Sequence, residues 1–225
     1  MLLRKSGLQL LQDYLQNKNL SGTENNFSQH WPVFAQRLIA KLTPKLMPSG
    51  ELEELKALFQ KEKGVNVCHH LLLHLSKIFP TPVVVKGRKP NHWTPTKSEI
   101  QLGFLGHYHS EEEFKTFLHD KAVKLASFKT PVRFQPFAAI VGPNVRNVQK
   151  CYVVLQANDI YQVDTPFAAI DFTFKASQVL DAAYPAESKL VWLVVQQAIY
   201  KVFSDNDKKI ISPQLVPILK HFNKK

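Results

Sequence analysis

A chain of 225 residues has room for one large domain or two small ones, and a core of that size needs no disulfide or metal to hold it. Apolar residues at 44% and charged residues at 21% exclude a disordered chain, which would be poorer in apolar groups and more one-sided in charge. Lys and Arg outnumber Asp and Glu by 29 to 18, a net charge of +11 that favours polyanionic partners and says nothing of fold.

Residues 2–17 read as a short amphipathic helix, with Leu3, Leu10, Leu11, Tyr14 and Leu15 at near-helical spacing. The polar stretch 17–26 contains Gly22 and reads as a loop. In 27–46, Phe27, Trp31, Phe34, Leu38, Leu42 and Leu46 make one helical face. Pro32 suits a first turn, which places the regular start near Trp31; Pro44, Pro48 and Gly50 end the helix. Residues 51–62 open on Glu51, Glu53 and Glu54 and close on Lys61, the order a helix dipole favours. The run VNVCHHLLLHLSKIF, 65–79, is a further apolar helix stopped by Pro80. Residues 1–80 thus read as a helical lobe.

From Pro80 to Pro95 the sequence PTPVVVKGRKPNHWTP holds too much proline for a helix, and 81–97 reads as an extended, basic connector. Residues 98–105 and 110–126 return to helix. Ser110 with Glu113 matches a capping box, and Phe114, Phe117, Leu118 and Leu125 supply the buried face. The period then changes. Three short β-rich runs, 137–141, 151–155 and 160–163, are separated by Gly142-Pro143-Asn144 and Asn158-Asp159, which reads as a three-stranded antiparallel meander. Thr165 caps and Pro166 opens a helix to about 182 that is apolar nearly all round, with Phe167, Ile170, Phe172, Phe174, Val179 and Leu180. Tyr184-Pro185 breaks it. A second apolar helix, 187–203, carries Leu190, Trp192, Val194, Val195 and Ile199, and a polar loop leads to a final short helix ending in basic residues. The predicted class is α+β: an N-terminal helical lobe, then a small three-stranded antiparallel sheet packed by two apolar helices. The α+β lobe takes in 98–225, and the two lobes either stand apart or share one core.

Four groups of residues could carry chemistry. No acid occurs from Lys63 through Ser98, while Lys63, Lys77, Lys86, Arg88, Lys89 and Lys97 do. A basic, extended strap with an aromatic suits phosphate contact plus base stacking, which marks Lys86, Arg88, Lys89, His92 and Trp93 as candidate nucleic-acid-binding residues. The plain alternative is a solvated linker with Trp93 anchored in the core. Cys68, His69, His70 and His74 form a second group, with His70 and His74 on one helix face; His107, His109 and His119 could complete a site in space. No Glu sits between the paired histidines in the hydrolase pattern and no CxxC occurs, so packed and surface histidines without a metal or cofactor are expected. Asp171 and Lys175, four apart with the acid first, read as a partly buried structural ion pair, with a catalytic pair as the alternative. Glu111, Glu112 and Glu113 could hold Mg²⁺, but their place at a helix start is explained by capping and dipole. There is no GxSxG, GxxxxGK[ST] or GxGxxG.

Two cysteines, Cys68 and Cys151, both in apolar runs, fit buried free thiols in a reducing compartment. The start MLLRKSGLQLLQDYLQ lacks a signal peptide's apolar run and cleavage site, and no stretch approaches the about 18 apolar residues of a membrane span. A cytoplasmic or nuclear protein off the membrane is expected.

Several separated segments together resemble a known set of animal proteins. They are Gln135-Pro136-Phe137 through Val141-Gly142, Tyr152-Val153-Val154, Tyr161-Gln162-Val163, and Thr165-Pro166-Phe167-Ala168-Ala169-Ile170-Asp171 with Phe174-Lys175. Tyr184-Pro185, Val191-Trp192 and Ile199-Tyr200 continue the likeness, as do His70-Leu71-Leu72-Leu73-His74-Leu75 before Phe79-Pro80, and Trp93-Thr94-Pro95-Thr96. Across roughly residues 65–203 the chain resembles uncharacterised insect proteins and, more distantly, the C-terminal region of fish proteins of the sterile alpha motif domain-containing protein three group. The chain has no sterile alpha motif of its own, so that motif's function does not carry over. Genes of that group are often multicopy, and the resemblance implies association with mobile elements.

The expectation is a non-enzymatic binding protein whose partner is nucleic acid or a nucleic-acid-associated assembly. One alternative is a protein–protein or self-associating scaffold, with helix 187–203 continuing into a partner and Trp192 or Tyr200 exposed. Another is an enzyme with an unfamiliar site built on Asp171, Lys175 or the histidines.

Overall fold

The structure, a computed structural model, describes residues 26–40, 48–61, 72, 75, 84–86, 91–127 and 134–203. The helices expected at 2–17 and near the C-terminus lie outside them, as does 65–79 apart from Leu72 and Leu75, which are fully buried.

Helix α1 (Asn26–Ile39) buries Phe27, Trp31, Phe34, Ala35 and Leu38, the face set by their spacing. It starts at Asn26 rather than near Trp31, and Pro32 lies inside it. The reason is aromatic packing. Phe27 stacks on Trp31 one turn away, at 5.2 Å, and both rings pack on Phe167 at 5.7 and 6.0 Å. Burying an aromatic of that size stabilises by about 1.5–3 kcal/mol, enough to offset the about 3 kcal/mol of an internal proline. Helix α2 (Ser49–Lys61) follows, burying Leu52 and Leu55.

The described part of the connector contains two short paired strands. Strands β1 (Val84–Lys86) and β2 (Asn91–Trp93) pair antiparallel. β-branched Val84 and Val85 favour the extended backbone.

Helix α3 (Lys97–Phe104) starts on a full capping box: Thr96 Oγ1 accepts from the Glu99 amide at 3.2 Å, and Glu99 Oε2 accepts from the Thr96 amide at 2.8 Å. It passes directly into β3 (Leu105–Tyr108), then α4 (Glu111–Ala126), β4 (Phe137–Val141), β5 (Lys150–Gln156), β6 (Asp159–Val163), α5 (Pro166–Val179) and α6 (Lys189–Ala198). The three-stranded antiparallel sheet expected is thus a four-stranded mixed sheet of order β3-β4-β5-β6, within an α+β fold. β4, β5 and β6 form the meander, while β3 runs parallel to β4, Leu105 opposite Ala138 and Tyr108 opposite Val141, with α4 as the crossover a parallel pair requires.

Both faces of the sheet are covered. Phe137, Ala139, Val141 and Val154 meet Phe114 and Leu118 of α4. Ala138, Ile140, Cys151 and Val153 meet a larger cluster from α5 and α6. That cluster also takes in Phe27, Trp31, Leu52, Leu55, Leu72 and Leu75, so α1 and α2 share one hydrophobic core with the C-terminal helices. Thr165 caps α5, its Oγ1 accepting from the Ala168 amide at 3.1 Å. α6 ends at Ala198 rather than running to 203. The Val202 amide turns back to the Gln196 carbonyl at 3.2 Å, through Lys201 at φ 57°.

Candidate functional site

The basic strap forms the β1–β2 hairpin. Its backbone sets Lys86 opposite Asn91, Val85 opposite His92 and Val84 opposite Trp93. Lys86 on β1 and His92 and Trp93 on β2 therefore lie on adjacent strands, whose directly facing residues are about 5 Å apart across the ladder. Arg88 and Lys89 fall between the strands in sequence and lie outside the described residues.

Cys68, His69, His70 and His74 also lie outside the described residues. His107 and His109 do come together, edge to face at 5.1 Å, where β3 and β4 end. Both are bound to the turn after β4: His107 Nε2 donates to the Gly142 carbonyl at 2.9 Å, and His109 Nδ1 to the Pro143 carbonyl at 3.2 Å. His119 is exposed on α4. Among the described residues no three His, Cys, Asp or Glu side chains are placed to hold a metal.

The acidic run at the start of α4 is divided between structural partners. Ser110 Oγ accepts from the Glu113 amide at 3.1 Å, but Glu113 accepts from the His109 amide at 2.6 Å, one residue earlier than a capping box predicts. Glu111 reaches across to β5, where its carboxylate accepts from Lys150 Nζ and from the Tyr152 hydroxyl at 3.1 Å. Those two bonds, Lys150's first, hold the Glu111 carboxyl below its usual range.

Asp171 and Lys175 are a helical pair with a third member that the spacing does not reveal. Lys175 Nζ donates to Asp171 Oδ2 at 2.5 Å, and the Tyr200 hydroxyl donates to Asp171 Oδ1 at 2.6 Å. Tyr200 lies flat on Phe174, centroids 3.7 Å apart. The Asp171 and Lys175 side chains are 19% and 7% exposed. Burial pushes the Asp171 carboxyl up, against the pull of Lys175 and Tyr200. Both carboxylate oxygens are occupied.

The cleft of about 320 Å³ found among the described residues lies where the β4–β5 connection meets the end of β6, lined by Arg146, Lys150, Cys151, Asp164 and Thr165. Three of its polar groups are engaged: Arg146 with Glu54 at 2.8 Å, Lys150 with Glu111, Thr165 with the Ala168 amide. The Cys151 thiol is buried and pushed up to about 12, chiefly by burial, which leaves it unreactive near neutrality.

Lys121 was not anticipated. Its ammonium lies 5.6, 5.5 and 4.6 Å from the ring centroids of Phe117, Phe134 and Phe137. Cation–π attraction in a desolvated site reaches about 2 kcal/mol, while withdrawing an unpaired ion from water costs several kcal/mol, so burial wins. The amine is accordingly pushed below its ordinary range by burial, partly opposed by Glu187 and reinforced by Lys124. The spacing of Phe117 to Lys121 is visible in the sequence; the two further rings arrive from the approach to β4 and its first residue.

Trp192 and Tyr200, whose exposure would have marked a docking face, are 0% and 6% exposed. No described helix is long and apolar enough to cross a membrane. In comparisons with known proteins the chain matches no family model, and no curated protein or solved structure shows significant similarity to it.

Proposed function

We propose that this is a non-enzymatic binding protein whose partner is nucleic acid or a nucleic-acid-associated assembly, gripped through phosphate charge by the β1–β2 hairpin. The observation that carries the reading is a coincidence of charge and backbone. An acid-free, base-rich stretch of the sequence, Lys63 to Ser98, is also one where the chain pairs back on itself, Lys86 opposite Asn91. A two-stranded ribbon is one of the shapes a nucleic-acid groove admits. Lys86, Arg88 and Lys89 would neutralise phosphates, while His92 and Trp93 would stack on bases. The net charge of +11 would draw the polyanion in from a distance. The resemblance to mobile-element-associated proteins leans the same way, and a cytoplasmic or nuclear site of action follows from such a partner. Binding of this kind is largely indifferent to sequence, because it is read from the phosphate backbone.

A labelled oligonucleotide titrated across a salt series tests it. The wild-type chain binds at low salt, and log Kobs falls linearly with log salt. The triple variant K86A/R88A/K89A keeps its circular dichroism and loses about 2–3 from that slope on duplex DNA, at about 0.9 per phosphate contact. No binding at low salt, or an unchanged slope in the variant, removes the reading.

A further inference from the structure

We propose that Lys121 is a covalent capture site for small aldehydes with a flat, apolar body, which lie among Phe117, Phe134 and Phe137 while the amine attacks the carbonyl carbon. The inference rests on Lys121's surroundings and is independent of the hairpin. Lys56, Lys150 and Lys175 each hold a described carboxylate within ion-pair distance, but Lys121 holds none. Its partners are three aromatic rings converging from α4, from Phe134 just before β4, and from the first residue of β4. The charged groups that face it are Glu187, from the turn before α6, which acts on it from beyond ion-pair distance, and Lys124 on its own helix. Lys121 as a whole residue is partly exposed.

A lysine becomes a nucleophile only as the free amine, and an apolar pocket without a counter-ion favours that form. The amine lone pair forms the C–N bond, and the carbonyl π pair moves to oxygen, which takes up a proton. The carbinolamine then loses its hydroxyl and the remaining nitrogen proton as water, leaving an imine. No oxidant or reductant is consumed. The rings favour a planar apolar body beside the reacting carbon, because stacked and edge-on contacts with three phenyl groups bury its surface.

The test uses the wild-type chain. It is incubated with benzaldehyde and cyanoborohydride at about pH 7, where most exposed lysines are protonated. The reagent traps the imine as a benzyl amine, and modified lysines are located by peptide mass spectrometry. Lys121 is expected to be labelled about ten-fold faster than Lys115 and Lys124, exposed residues of the same helix, with the lead narrowing at about pH 10 and vanishing in urea. Formaldehyde, which has no body for the rings to hold, should show a smaller lead. Labelling of Lys121 no faster than Lys115 and Lys124 in the folded chain overturns the site. An equal lead with both aldehydes overturns the role given to the rings.

Discussion

Asp171 is a carboxylate on a mostly apolar helix, and what it needs there decides what it does. Its two oxygens take one donor each, from Lys175 on the same helix and from Tyr200 beyond α6. Removing Lys175 leaves a buried charge with one partner, a loss that typically costs about 3–5 kcal/mol. Lys175→Met is therefore expected to lower unfolding stability by that order in a denaturant titration. The double variant D171N/K175M should recover most of the loss, because the amide keeps a partner in Tyr200 and carries no charge. The pH dependence has a definite sign. The folded Asp171 carboxyl stands above its unfolded value of about 3.9, so its contribution to stability is whole below that value and lost as pH rises through the folded one. Without Lys175 the upward push of burial is less opposed. The deficit of Lys175→Met should then be smaller at about pH 4 than at about pH 7. A deficit that is the same at both pH values would mean that the lost lysine acted through packing alone. The i,i+4 spacing of this pair was legible in the sequence, but Tyr200 was not, since only the fold places it there.

Helix and strand ends rest on a few backbone positions whose substitution should act in opposite directions. Gly142 closes β4, its amide donating to the Tyr108 carbonyl at 3.0 Å, and a Cβ there would come within 2.2 Å of the Asn147 carbonyl oxygen. Backbone cannot swing aside as a side-chain tip can, so Gly142→Ala should cost about 1–3 kcal/mol. Asp181 ends α5 in the left-handed region at φ 47°, with the Ala182 amide turning back to the Ser177 carbonyl at 2.9 Å, a Schellman closure. Glycine takes that conformation without strain and removes an acid from the negative end of the helix, so Asp181→Gly should stabilise by about 0.5–1 kcal/mol. Thermal melts of the two variants, shifted down and up, check both. The Gly142 turn and the Thr165 cap could be read from local chemistry. β3 could not. Leu105–Tyr108 continues an apolar helix without a break, and only pairing with β4, across the whole of α4, makes it a strand. β4 itself was legible as the run FAAIV, and coverage on both faces explains why it shows no alternation. The cage around Lys121 was hidden for the same reason as β3, because Phe134 and Phe137 reach α4 only through the crossover.

At the scale of the molecule, the sequence left open whether the helical lobe and the α+β lobe are one unit. The boundary is not visible in composition, because the proline-rich strap looks like a linker whether or not the parts it joins are packed together. The answer lies in which side chains meet. Phe27 and Trp31 of α1 pack on Phe167 of α5, and Phe27 also approaches Tyr200 with ring centroids 6.2 Å apart, so the ring contacts cross from the first described helix to the segment just beyond the last. Trp31 is fully buried at that junction. Trp31→Ala should cost about 3–5 kcal/mol, as truncation of a large buried aromatic does. The loss should fall on one cooperative transition, because the packing it weakens belongs to the core that also backs β4 and β5. Far-ultraviolet circular dichroism and amide exchange together provide the check. In the variant, protection should fall in α1, β4 and β5 by similar amounts, since all three open with the same core. An early transition confined to α1 and α2, with β4 and β5 as protected as in the wild type, would instead show two separately folding lobes joined by the hairpin.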